Sequence, residues 1–229
     1  MDKKELLKYV GSVEQIGGIR DFTFNDGKAK GVRAIEVNTG SLRFTILPDR
    51  CMDIAQADYK GQAISWISKT GITAPQYYEK DEKNWLRGFY GGLITTCGLH
   101  NIGGPVGEYG LHDRIAHIPA QKISVSAEWV DDEYIMRVSG EMRDSIVFGS
   151  NLVLKRVITA KLLSSEFIVE DTIINEDEKK YEETRDGSGK GRCQKPGSET
   201  GITGHAGTVC QCALQCRRQD VYRKYSRDR

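Results

Sequence analysis

Three pairs of strand-like segments, each joined by a short turn, constrain this chain more than any other feature. Apolar and polar residues alternate in VRAIEV and LRFTIL (32–37 and 42–47), KISVSAEWV and EYIMRVSGEM (122–130 and 133–142), and LVLKRVITA and EFIVEDTIIN (152–160 and 166–175). Alternation with a period of two predicts half-buried strands, and the short linking segments predict antiparallel hairpins. We therefore predict an all-β fold built as an antiparallel β-sandwich.

The segments around these hairpins carry weaker signals. The opening DKKELLKYV (2–10) has an amphipathic helical spacing with Asp2 as a candidate N-cap. Residues 71–90 mix charged and aromatic side chains without alternation, which predicts an irregular crossing segment. At 229 residues, the chain is long enough to bury a core.

The last 49 residues differ sharply from the rest. Between residues 181 and 229 only Ile202, Val209, Leu214 and Val221 are Leu, Ile, Val or Phe. That fraction lies well below the roughly 20% under which burial rarely offsets chain entropy. We predict a partial sandwich domain at 1–180 and a disordered or aberrant tail at 181–229. The tail also groups a histidine and three cysteines that could chelate zinc, although their spacing is unlike common zinc knuckles: His205, Cys210, Cys212 and Cys216.

Composition excludes several classes of protein. A formal net charge of +1 gives no broad field that would attract nucleic acid or an anionic membrane. The sequence shows neither an apolar run long enough to span a bilayer nor a secretory signal. We therefore expect a cytoplasmic protein with no membrane and no nucleic-acid partner, and with its six cysteines unpaired.

Several phrases of the body, in order, resemble one family. VEQIGGIRDFTFNDGKAKGVRAIEV (13–37), LPDRCMDI (47–54), GGLITTCGL (91–99) and LHDRIAHIPA (111–120) are similar to the core motifs of DUF4432, a galactose-mutarotase-like family related to aldose 1-epimerases. The resemblance implies an antiparallel β-supersandwich with a carbohydrate groove on one sheet. It also implies either interconversion of sugar anomers or plain sugar binding, with a small sugar as the partner and neither a cofactor nor a metal.

The resemblance also suggests the site residues. In the epimerases, a carboxylate takes the proton of the anomeric hydroxyl while a histidine protonates the ring oxygen. His112 matches the family histidine of its LHGR-like motif and is our candidate catalytic residue. The candidate substrate-binding residues are Arg50, Asp53, His100, Asn101, Arg114 and Trp85. A structural reading stays open: the histidines would be ordinary loop residues, and Arg50 with Asp53 an ion pair that fixes a turn.

The chain departs from the family pattern in two places. Asp113 stands where the family usually has glycine, at a position that would suit glycine best if φ is positive. After the strand-like DTIIN, the expected second histidine and the carboxylate base do not follow, so the fold is expected to be C-terminally truncated. Three functions remain: an aldose 1-epimerase-like isomerase, a non-catalytic carbohydrate-binding remnant, and an interaction protein whose cysteine-rich tail binds metal. Trp66 and Trp129 are expected in the core, whereas Trp85 is the candidate for stacking on a sugar.

Overall fold

The computed structural model describes residues 3–80, 84–176 and 200–202 of the chain. Within these ranges the regular elements are α1 (Lys3–Leu6), β1 (Gly18–Thr23), β2 (Arg33–Asn38), β3 (Leu42–Leu47), β4 (Asp53–Tyr59), β5 (Gln62–Ala63), β6 (Trp66–Ile67), β7 (Gly91–Gly92), β8 (Gln121–Val130), β9 (Glu133–Ser145), β10 (Asn151–Lys161), β11 (Phe167–Asn175) and β12 (Thr200–Ile202). Short 3₁₀ turns occur at Val13–Gln15, Gly27–Ala29, Pro48–Arg50, Pro75–Tyr77, Asn84–Gly88 and Ile115–His117.

Two antiparallel sheets form the architecture. The first sheet has the order β1-β2-β3-β4-β5, and the second has the order β12-β11-β10-β9-β8. All three predicted hairpins are present, as the pairs β2–β3, β8–β9 and β10–β11. A separate two-stranded pair, β6–β7, lies between them in the chain. The prediction of an all-β antiparallel fold is confirmed.

The hydrophobic core lies between the two sheets. Phe44 of β3 stacks on Phe167 of β11, with ring centroids 4.5 Å apart. Along β9, alternate residues such as Met136, Val138 and Met142 are buried, because successive side chains of a strand point to opposite faces. Burial of apolar area, at roughly 25 cal/mol per Å², is the main force that holds the sheets together.

Hydrogen bonds between loops add to this apolar contact. The β2–β3 turn contains Thr39, whose hydroxyl donates to the carbonyl of Ser164 at 2.6 Å. The amide of Leu163 in turn donates to the Thr39 carbonyl at 2.6 Å. Because Leu163 and Ser164 lie between β10 and β11, these bonds join a turn of the first sheet to a loop of the second. These hydrogen bonds help to fix the relative position of the two sheets.

Other parts of the structure differ from the predictions. The predicted N-terminal helix contains a single turn, Lys3–Leu6, and Asp2 lies outside the described residues. Residues 71–90 form 3₁₀ turns and irregular backbone, as predicted, apart from the undescribed 81–83. The short strand Thr200–Ile202 pairs with β11 inside the segment for which we predicted no strand. The remainder of 181–229 lies outside the described residues, including the histidine and cysteines of the proposed zinc cluster. Across the described ranges, every helix is too short or too polar to cross a membrane.

Candidate functional site

A small pocket lined mainly by polar and charged residues opens where the long loop after β7 meets the end of β9. Its volume is about 230 Å³. The lining residues are Tyr78, Lys80, His100, Glu108, Tyr109, Asp113, Arg114, Asp144 and Ile146. Carboxylates, cations, an imidazole and two phenol rings therefore face one space, and such convergent polar groups are typical of small-molecule sites.

The loop that supplies most of the pocket needs an unusual backbone. Gly98 has φ of +86°, and a Cβ placed there would lie 2.0 Å from the carbonyl oxygen of Asn101. Only glycine fits such a close approach. His112 and Asp113 also have positive φ, at +54° and +50°. Asp113 therefore occupies the left-handed conformation that its glycine-like position suggested, and it turns the loop at the pocket wall.

The pocket has a buried carboxylate with an unsatisfied oxygen. Asp144, at the end of β9, is 2% exposed, and its Oδ2 has no hydrogen-bond partner in the described parts of the chain. The Nε2 atom of His100 lies 3.8 Å from this oxygen, and the Nε atom of Arg114 lies 3.9 Å from Oδ1. The His100 ring stacks on Tyr109, with the planes 10° apart, and Nε2 lies 3.3 Å from the hydroxyl of Ser150.

Burial in the pocket raises the pKa values of Asp113, Asp144 and Tyr78 and so favours their protonated forms. Burial raises the pKa of Asp144 above its usual value, and the negative charge of Asp113 raises it further. Burial also raises the pKa of Asp113, while His100 and Arg114 oppose this shift. The pKa of Tyr78 is raised, again mainly by burial. These three groups thus resist ionisation in the absence of a ligand that supplies hydrogen-bond donors or positive charge.

Two predicted site residues, His100 and Arg114, line this pocket. The His100 side chain is 10% exposed, whereas that of Arg114 is 53% exposed and reaches the pocket from the solvent side. The His100 imidazole is therefore held in place by packing, whereas the Arg114 guanidinium can adjust to a ligand.

His112 belongs to the same loop but has a different set of contacts. Its Nδ1 accepts a hydrogen bond from the amide of Gly103 at 3.1 Å, and its ring packs against Trp85 with centroids 4.7 Å apart. An accepting Nδ1 places the proton of the neutral ring on Nε2. Burial lowers the pKa of this histidine. His112 is not among the residues that line the pocket.

Asn101 and Trp85 have structural contacts instead of pocket contacts. The Asn101 amide donates to the carbonyls of Gly104 and Gly110, both at 2.9 Å, and so braces the loop. Trp85 is 4% exposed and stacks on Phe89. This burial does not fit the predicted stacking on a sugar. Conversely, Trp66, expected in the core, is 62% exposed. Trp129 is partly buried and packs on Tyr134.

Arg50 is fully buried away from the pocket. Its three nitrogens are hydrogen-bonded inside the protein, to the carbonyls of Ala116, Thr73 and Gly88 and to Nε2 of His117. Burial and the Arg50 charge together lower the pKa of His117 to about 2, so this ring is neutral and accepts the hydrogen bond. Arg50 joins three loop segments, and a role in gripping sugar hydroxyls does not fit this placement.

Asp53 is also fully buried and forms no ion pair with Arg50. Its Oδ1 accepts hydrogen bonds from the amide and hydroxyl of Thr96 at 2.9 and 2.6 Å, and it lies 3.3 Å from Nη1 of Arg156. Burial raises the pKa of Asp53 to about 6, although Arg156 and Thr96 oppose the shift. The predicted ion pair at this turn is therefore replaced by one that crosses to the second sheet.

Sequence reasoning missed Asp144 as well as several other lining residues. A signal for Asp144 did exist. It continues the buried phase of β9 set by Met136, Val138 and Met142, so an acid occupies a position where the alternation expects an apolar residue. Charged residues in the buried phase of a strand need a partner or a function. The loop between β9 and β10 carries an exposed apolar tip beside the pocket, where Val147 is 82% and Phe148 is 103% exposed.

Fold and pocket together define a β-sandwich of two antiparallel sheets with a small polar cavity at its edge. The chain belongs to the family DUF4432, a domain of unknown function whose sequence profile matches residues 29–184. No curated protein matches the sequence significantly.

A solved structure shares the fold of this chain. It is a crystal structure from Klebsiella pneumoniae subsp. pneumoniae MGH 78578, described as a "putative aldose 1-epimerase". The two chains are 21% identical, with a TM-score of 0.64 over 77% of this chain. The match covers 47% of the Klebsiella chain, so this protein spans about half the length of that relative. At this identity the similarity shows a shared fold.

Proposed function

We propose that this protein binds a small carbohydrate in the pocket between the β7–β8 loop and the end of β9. The buried Asp144 carboxylate, whose Oδ2 has no hydrogen-bond partner among the described residues, is the observation that carries the proposal. A buried acceptor without a donor costs free energy, and a ligand hydroxyl would supply that donor.

The other lining groups suit a sugar. Hydroxyl groups both donate and accept, and the pocket offers carboxylate acceptors beside the guanidinium donors of Arg114. The rings of Tyr78 and Tyr109 offer apolar faces to the C–H groups of a pyranose. At about 230 Å³, the cavity is smaller than the roughly 300–1,000 Å³ typical of drug-sized ligands. This size favours a monosaccharide over a longer chain.

A second candidate function, interconversion of sugar anomers, is favoured by one contact. The imidazole of His100 and the carboxylate of Asp144 lie 3.8 Å apart in the pocket. Mutarotation moves protons at the anomeric hydroxyl and at the ring oxygen, which are bonded to the same carbon. An acid and a base this close can reach both oxygens, so His100 is better placed than His112 for the proton transfer that we assigned to His112.

Binding is tested by ligand-observed NMR with a panel of monosaccharides and uronic acids. We expect saturation transfer to at least one sugar in the native protein, with loss of the signal in Asp144→Asn and a weaker signal in Arg114→Ala. Arg20→Ala is the matched control, since Arg20 forms a similarly loose ion pair, 4.0 Å from Glu36, on the edge strand β1. Equal weakening in Arg20→Ala and Arg114→Ala would assign the binding to another surface.

Catalysis is tested by polarimetry on whichever sugar binds. Faster approach to anomeric equilibrium with the native protein, lost in His100→Ala, supports an isomerase. Sugar binding without rate acceleration supports the non-catalytic alternative.

A further inference from the structure

We propose that His100, Asp113 and Asp144 form a binding site for one divalent metal ion at the base of the pocket. One ligand atom from each residue lies within 4.8 Å of the other two. A tetrahedral zinc ion with bonds of about 2.0–2.2 Å to histidine nitrogen and carboxylate oxygen holds its ligand atoms about 3.3–3.6 Å apart. The His100 and Asp144 atoms, 3.8 Å apart, are already close to this spacing, and rotation of the side chains would bring all three groups onto one ion.

The unsatisfied Asp144 carboxylate points independently to a ligand at this place. Its side chain is 2% exposed, and Oδ2 faces the His100 imidazole without a hydrogen bond from any described residue. The Arg114 guanidinium approaches the other oxygen, Oδ1, at 3.9 Å. Oδ2 is thus the atom left for a cation. A bound ion would remove the cost of burying this carboxylate unpaired.

The charge balance of the pocket also favours a cation. The lining residues include three acids, Glu108, Asp113 and Asp144, against two bases, Lys80 and Arg114. Both bases are long exposed side chains that can move aside, whereas Asp113 and Asp144 are buried. The groups held in place at the base of the pocket are therefore two carboxyl groups, and a bound cation would favour their ionised form.

The ligand set indicates the kind of metal. One imidazole with two carboxylates suits borderline ions such as Zn²⁺ and Co²⁺, or the harder Mn²⁺, better than soft ions such as Cu(I). Three protein ligands leave at least one coordination position open, as in catalytic zinc sites. If the proposed sugar function holds, a sugar hydroxyl would take that position. The metal site itself rests only on the protein ligands.

The first experiment is a titration with Co²⁺, whose visible absorption reports the coordination geometry. It uses the full chain with Cys193, Cys210, Cys212 and Cys216 replaced by serine, so that thiolates of the tail cannot take the ion. We expect one equivalent to bind. Removal of a ligand in Asp144→Asn or His100→Ala should weaken the affinity at least about tenfold.

Glu108→Gln is the matched control, because it removes one negative charge from the pocket wall without removing a proposed ligand. We expect its affinity for Co²⁺ to stay within about threefold of that of the parent, and circular dichroism checks the fold of every variant. If Asp144→Asn does not fold, Asp113→Asn takes its place. No binding to the folded parent, or equal weakening in Glu108→Gln and Asp144→Asn, overturns the metal site.

Sugar binding with and without chelator separates the two proposals. One outcome overturns the metal site and keeps the sugar pocket: the sugar binds equally well with and without EDTA, and the protein binds no Co²⁺ when EDTA is left out. One equivalent of Co²⁺ bound in the absence of any sugar affinity supports the metal site and removes the proposed function.

Discussion

Arg156 of β10 forms a bidentate ion pair with Asp171 of β11, with nitrogen–oxygen distances of 2.7 and 2.8 Å. Both side chains are almost fully buried. The remaining nitrogen, Nη1, donates to the carbonyl of Cys51 and the hydroxyl of Thr96, both at 3.1 Å, and to Oδ1 of Asp53. One guanidinium therefore connects the second sheet to the segment that leads into β4 of the first.

Replacing Arg156 with methionine should destabilise the protein severely. The change leaves the carboxylates of Asp53 and Asp171 buried without their common partner, and breaking one side of a buried ion pair costs about 3–5 kcal/mol. Urea unfolding followed by fluorescence measures this loss. Arg43→Met is the matched control, because Arg43 pairs with Asp58 at 2.9 Å but is 52% exposed. We expect the control to cost at most about 1 kcal/mol. Similar losses in both variants would contradict the structural role of Arg156.

The contribution of Asp53 to the free energy of unfolding should fall as pH rises from about 4 to 6. Burial raises the pKa of Asp53 from 3.8 to about 6 in the folded state. The folded protein therefore binds the proton more tightly than the unfolded chain, and stability present below pH 4 is lost as pH passes the folded pKa. A shift of about two pKa units corresponds to about 3 kcal/mol.

Asp53→Asn tests this assignment because asparagine keeps the shape of the side chain and cannot titrate. Urea unfolding at several pH values should show the native chain losing stability relative to the variant between pH 4 and 6. Other acids, Asp113 and Asp144 among them, titrate in both proteins, so the difference between the two profiles is the informative quantity. Parallel profiles would show that Asp53 does not carry the effect.

Gly98→Ala should disrupt the loop that forms the pocket. The new methyl group would overlap the carbonyl oxygens of Asn101 and His112, at 2.0 and 2.7 Å, and φ of +86° is strained for any side chain. Overpacking typically costs about 1–3 kcal/mol, and backbone strain adds to this cost. Thermal unfolding measures the loss. Gly104→Ala, in the same loop, meets nothing within 4 Å and should change the melting temperature little. A tolerated Gly98→Ala would mean that the loop has a different backbone.

His100→Ala and His112→Ala should affect different properties. His100 lines the pocket, so its removal should weaken the binding of the sugar found by NMR at least about tenfold, the effect of losing a charged or well-placed hydrogen-bond partner. His112 packs on Trp85, so its removal should mainly lower stability. Titration calorimetry and thermal unfolding of both variants separate the two effects. Loss of binding in the folded His112→Ala protein alone would restore the assignment made from the sequence.

The sheets could be predicted from the sequence because alternation is a local property. The hairpin predicted at 32–37 and 42–47 occurs at Arg33–Asn38 and Leu42–Leu47, and the other two also agree within a few residues. Local patterns decide which residues of a strand face inward. They do not decide what an inward-facing polar group meets on the other sheet, which depends on how two sheets pack.

The residues of the candidate site were harder to predict, because their contacts depend on how the two sheets pack. Arg50 and Asp53 occur in the phrase LPDRCMDI, and both form buried contacts that join loops and sheets in the structure. The acid at the pocket, Asp144, and the cation between the sheets, Arg156, are charged residues in the buried phase of β9 and β10. That interruption of the alternation is visible in the sequence, and it identifies residues that need a partner without naming the partner.

The exposed tip at Val147 and Phe148 has a consequence for how the protein can be cut. A bare aromatic side chain in a hairpin loop is a preferred point of attack for chymotrypsin. A nick there would leave β9 and β10 paired from Asn151 with Ser145 to Lys161 with Ile135, so the two fragments should stay together. Ile146 lines the pocket, and a ligand that orders this loop should slow the cut. The rate of chymotrypsin cleavage in this loop should therefore report pocket occupancy without a label.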